Sequence, residues 1–146
     1  MTRPSSVIVS ALYKTKPKFL NVDLQIESEA PLGLLETEFV EKIMILYSDK
    51  LPNSKRNVLI LEIRGRNRGV DETIEALCKL IDKLSPKARR IWEKARKEFD
   101  VGYELRPSQR SSRFTLRHDS LQRIANLGAN LAVTYYRGEP PTALEA

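Results

Sequence analysis

The chain has little of what metal and redox chemistry draws on: one cysteine and one histidine among 146 residues. Cys78 alone cannot close an internal disulfide, and one cysteine with one histidine cannot make a zinc site of the usual N/S type. Such cysteine usage fits a reducing compartment, and a cytoplasmic location is expected. Long apolar runs are missing too. No stretch approaches the roughly 18–20 residues that cross a bilayer, and in MTRPSSVIVSALYKTK the apolar part from Val7 to Leu12 is too brief for a secretory core. Membrane association is therefore not expected. The chain also lacks the GK[ST] of a P-loop, a GxGxxG fingerprint and an EF-hand loop, so no cofactor is expected.

What is present is a folding composition, 41% hydrophobic and 30% charged, with too many large apolar residues for a disordered chain. A chain of this length buries about 68–70% of its unfolded surface. Residues 19–137 are read as one α+β domain, residues 1–18 as an N-terminal arm or short strand, and residues 138–146, with EPPTALEA, as a tail.

Periodicity supplies the elements. Leu20, Val22, Leu24 and Ile26 alternate with Asn21, Asp23, Gln25 and Glu27, the period of two of a strand with one wet face. Leu32, Leu35 and Phe39 recur at helical spacing after Pro31, a first-turn residue, and Ile43 to Tyr47 reads as a short buried strand. NVLILEIRG reads as an interior strand. Asp71 is expected to cap a helix with Ile74, Leu77, Ile81 and Leu84 on one stripe, and Ser85-Pro86 to start a second with Ala88, Ile91, Trp92 and Ala95 inward. Cys78 lies on the first of these as an apolar filler. Phe99, Val101, Tyr103 and Leu105 alternate again, and Phe114 and Leu116 after PSQRSS predict a β-hairpin. Asp119 with Gln122 resembles a capping box, Gly128 suits a left-handed helix stop, and Leu131, Val133 and Tyr135 mark a last strand. The predicted order is β-α-β-β-α-α-β-β-α-β. A two-layer sandwich with helices on one face of a mainly antiparallel sheet would bury every stripe, and two β-α-β units align as a pseudo-duplication.

A formal charge of +6 raises the prospect of an anionic partner. Its clearest clusters are Arg64, Arg66 and Arg68 in RGRNRG, at a strand exit before a helix, and Arg110, Arg113 and Arg117 in the expected hairpin. These six are the candidates for binding an anion or a nucleic-acid backbone. Asp23, Glu27, Asp100 and Glu104, on polar strand sides, are expected to pair with Arg110, Arg113, Arg117 and Arg123 and weaken that field. His118 beside Asp119 is weighed as a general base, but Asp119 already has a role as a cap and no nucleophile motif accompanies it. No catalytic residue is assigned.

LSPKARRIWEKARKEFDVGYEL and FTLRHDSLQRIANLGANLAVTYY resemble a large bacterial family of domains of unknown function, over roughly residues 19 to 137. Its members end in a strand, a helix with an LGA-type terminus, and a strand closing in tyrosine. The resemblance implies no activity, cofactor or catalytic residue, and some members resemble small proteins encoded beside toxins. Three readings follow: a non-catalytic interaction module, immunity-like by analogy, with a protein partner; a nucleic-acid binder using its arginines; and a small-molecule-binding domain or enzyme with a site between helices and sheet. Exposed strand edges would also suit a homodimer.

Overall fold

Three strands of alternating or continuous apolar sequence build the middle of the sheet. In the computed structural model, which describes residues 17–65, 68–106 and 111–138, they are β1 (Lys18–Ser28), β3 (Asn57–Ile63) and β4 (Arg96–Leu105). β1 lies between the other two and pairs antiparallel with both. Register puts Leu24 beside Leu61 and Phe99, and Val22 beside Val101, so one sheet face is a continuous buried apolar surface. β2 (Ile43–Lys50) adds antiparallel to β3, and β5 (Asn130–Arg137) adds parallel to β4. The result is a five-stranded mixed sheet in the order β2-β3-β1-β4-β5.

The helices are α1 (Gly33–Phe39), α2 (Val70–Asp82), α3 (Pro86–Lys94) and α4 (His118–Asn126). Leu35 and Phe39 of α1, Ile74, Leu77, Cys78 and Ile81 of α2, Ala88 and Trp92 of α3, and Ile124 of α4 join the buried strand residues in one core. Ser85 caps α3 as its sequence demands, its hydroxyl accepting the Ala88 N–H at 3.2 Å, with Pro86 in the first turn. Gly128 ends α4 at φ 69°, where a Cβ would be strained. No helix among the described residues is long and apolar enough to cross a membrane.

Several expectations are corrected. Residues 111–117 form no strand, so among the described residues the hairpin is absent and the order is β-α-β-β-α-α-β-α-β; the short strand expected within residues 1–18 falls largely outside the described residues. The edge of β4 that a hairpin would use is taken by β5, from Glu98 beside Asn130 to Leu105 beside Arg137. Phe114 still turns inward and stacks on Tyr103 at 4.1 Å between ring centres. Without that strand the C-terminal unit has no counterpart to β1, and β3 separates β1 from β2, so the two β-α-β units are not equivalent. Ile43 to Tyr47 is not buried: β2 is an edge strand, and only Ile43 is covered. Pro31 stands ahead of α1, whose N-cap position is Leu32.

Neither aspartate caps its own helix. α2 starts after Gly69 and α4 after Arg117, with Asp71 and Asp119 already in first turns and no side-chain cap on either. An irregularity between Phe19 and Asn21 takes Leu20 out of the core row; it is 43% exposed.

Candidate functional site

Arg66 and Arg110 lie outside the described residues. Arg64 leaves β3 and donates its backbone N–H to the Lys42 carbonyl at 2.8 Å and its Nε to the Ile43 carbonyl at 2.7 Å. Arg68 folds back to donate Nη1 to the Arg64 carbonyl at 2.8 Å, over Gly65, whose φ of 121° admits few other residues. Arg117 belongs to a different contact: its N–H meets Asp71 Oδ1 at 3.0 Å and its Nε lies 3.7 Å from Asp71 Oδ2. Arg113 is exposed. Arg64, Arg68 and Arg117 are thus engaged in holding the chain. A hollow of about 310 Å³ beside Arg68, lined also by Phe19, Leu20, Asn21, Ile63, Gly65 and Thr73, opens at the start of α2.

The other candidates take structural places. His118 is exposed on the surface and meets Asp119 Oδ1 at 2.8 Å. Cys78 is buried, and burial pushes its thiol up to about 11, away from thiolate chemistry. A hollow of about 390 Å³ between the end of α1 and the end of α2 includes Glu38, whose carboxylate takes the Ser85 N–H and hydroxyl at 2.8 and 2.7 Å. Those two bonds hold its pKa below the usual carboxylate value. Among the described residues no group of three His, Cys, Asp or Glu side chains is placed to hold a metal ion.

What sequence reading missed lies on the face of the sheet turned away from the core. Asp23 of β1 is paired with Asp100 of β4, and one step beyond the Leu24–Leu61 pair it comes beside Glu62 of β3. Three carboxylates therefore form a row across the three inner strands, where like charges directly opposite one another are destabilising. Burial, then the charges of Glu62 and Asp100, raise Asp23 to about 6, and burial raises Glu62. Among the described residues the arginine pairs expected for this face are not made. Glu27 instead binds Arg56 Nε at 2.7 Å, Arg123 bridges to Glu75 and Asp82 at 3.8 and 3.6 Å, and Asp100 accepts the Thr134 hydroxyl at 2.8 Å. Among the described residues no cation lies within ion-pair distance of Asp23, Glu62 or Asp100.

Apolar groups flank this row. Leu46 of β2 lies at one end and Tyr136 of β5 at the other, with Leu20 and Gly102 between, in a shallow depression of about 220 Å³ that touches all five strands. Gly102 leaves room there: a Cβ would stand 3.5 Å from the Tyr136 ring and 3.9 Å from Leu20. Tyr136 is half exposed on this open face. No protein-family model, curated protein or solved structure matches the chain.

Proposed function

We propose that the chain is a non-catalytic protein-interaction module that seats a polypeptide across the open face of its sheet. The carrying observation is the carboxylate row of Asp23, Glu62 and Asp100 with Leu46 and Tyr136 at its ends. A lysine or arginine side chain of the partner laid over the row relieves a repulsion that no cation among the described residues is close enough to relieve. Apolar neighbours of that residue then cover Leu20, Leu46 and Tyr136, whose exposure as a group is what an interaction surface presents.

The reading extends, by analogy only, the likeness of some members of the resembled family to small proteins encoded beside toxins. A net charge of +6 discourages a cationic partner at long range, but the acidic row is local and acts at contact distance, inside the roughly 8 Å over which physiological salt leaves charges unscreened.

Selection of displayed random peptides against the full chain tests it. Peptides with a basic residue between apolar or aromatic ones are expected. Their affinity should fall about tenfold or more in a protein carrying Asp23→Asn, Asp100→Asn and Tyr136→Ser. Enriched peptides that bind this variant as well as the parent, or no enrichment at all, would remove the reading. Binding of a labelled RNA or DNA duplex that weakens steeply with salt and survives the three substitutions would favour an arginine-based nucleic-acid site instead.

A further inference from the structure

Among the described residues β2 is an outer strand, and Met44, Ile45, Leu46 and Tyr47 along it are all exposed. Its hydrogen bonds to β3 say which backbone groups the free edge presents. The Arg64 N–H to Lys42 carbonyl bond makes those two a hydrogen-bonded pair, so Ile43, opposite Ile63, turns its own N–H and C=O outward. From the far end, the Leu51 N–H to Arg56 carbonyl bond sets the same alternation and turns the groups of Ser48, opposite Leu59, outward.

The register shift between Ile45 and Tyr47 is a bulge, and it changes the parity of the strand. Ile43 and Ser48 lie opposite Ile63 and Leu59 on the helix side; Tyr47, opposite Ile60, and Met44, opposite Glu62, lie on the open side. A second strand pairing here must respect those faces.

We propose that β2 pairs antiparallel with β2 of a second copy of this chain, about a two-fold axis normal to the sheet between Ile45 and Leu46. The two sheets then become one. In this register Ile43 exchanges backbone hydrogen bonds with Ser48 of the second copy, and Met44 lies beside its Tyr47, so that helix layer continues into helix layer. One step outward, Lys42 meets Asp49 of the second copy, and Glu41 comes opposite its Lys50. Each pair occurs twice by symmetry. The segment EKIMILYSDK, residues 41–50, is charge-complementary to its own reverse. Sliding by two residues either way sets Asp49 opposite Met44 or Val40 and loses the pairs.

Side chains already cover parts of this edge, and the pairing accommodates them. Tyr47 Oη donates to the Lys50 carbonyl at 3.0 Å and Asp49 Oδ1 takes the Lys50 N–H at 2.7 Å, both beyond the Ile43–Ser48 ladder. Arg64 Nε occupies one lone pair of the Ile43 carbonyl and leaves the other. The pairing does not depend on the polypeptide proposed for the open face, and its test reads mass rather than ligand.

Sedimentation velocity on the full chain over a concentration series provides that test. A reversible dimer is expected. Asp49→Lys should raise its Kd about tenfold or more, and so should Lys42→Asp, because each sets like charges opposite one another twice. The double variant K42D/D49K should restore the parent Kd, which a merely misfolded single variant could not do. A parent that stays monomeric at its highest soluble concentration overturns the proposal. So does a dimer indifferent to either single substitution, or a double variant no tighter than the singles.

Discussion

The Asp71 carboxylate, in the first turn of α2, accepts the Ser120 hydroxyl of α4 at 2.6 Å. The same oxygen takes the backbone N–H of Arg117, the residue at the N-cap position of α4, at 3.0 Å. One helix thus supplies the capping group that the other lacks, and this joins two segments far apart in sequence. The arrangement also places a negative charge at the amino ends of both helices, where their dipoles favour it.

Asp71→Ala removes the acceptor from both donors and leaves the Ser120 hydroxyl, buried in the structure, without it. A loss of about 2–3 kcal/mol in urea denaturation is expected. Asp71→Asn keeps one oxygen on that side and should cost about 1 kcal/mol. If both variants unfold at the parent midpoint, the link does not contribute to stability.

Lys97 is a charged residue within the buried face of β4, 6% exposed and paired with Ile26 of β1. Its ammonium donates to the Trp92 and Glu93 carbonyls at 3.0 and 3.4 Å and lies 5.4 Å from the centre of the Trp92 ring. Those carbonyls belong to the last turn of α3, where the Trp92 carbonyl also takes the Ala95 N–H at 3.1 Å. Burial lowers the lysine pKa, yet the two acceptors and the ring face keep a cation suitable there. Lys97→Ala is expected to cost about 2–3 kcal/mol by thermal or urea unfolding, since it deletes both the donors and the packed stem. Lys97→Met, which keeps the stem, should recover about half of that. Equal losses in the two variants would mean that the ammonium alone matters and the stem does not.

Much of the frame was legible because it depends on short-range pattern. Val22, Leu24 and Ile26 alternate and are buried; Ser85-Pro86 starts a helix; Gly128 stops one. Phe114 and Leu116 misled for a physical reason. Both turn inward, and an extended segment lying on a core shows the same alternation as a strand in a ladder. Which segment occupies the β4 edge is decided by competition with β5, a non-local matter. Ile43 to Tyr47 likewise carries the composition of a buried strand, but composition does not say that the strand ends up at an edge. The carboxylate row was half visible: Asp23 and Asp100 were readable on wet strand faces. Their meeting with Glu62 depends on the register of three strands, which no local pattern specifies.

That row has a consequence for pH. Asp23 is raised from an ordinary 3.8 to about 6 in the folded protein. Between roughly pH 4 and 6 the folded chain therefore holds this proton more tightly than the unfolded chain. The stability it lends is fully present below that window and is lost as pH rises through it. Asp23→Asn mimics the protonated form and escapes the loss. At pH 7.5 the variant should be more stable than the parent by about 1 kcal/mol, a value kept small because solvent reaches the open face. In thermal melts this is about 2–4 °C for a chain of this size. At about pH 3, below the ordinary 3.8, the two should melt together, because the parent carboxyl is then neutral in the folded state and little ionised in the unfolded one. A gap of the same size at both pH values would show that the amide acts through packing and not through charge.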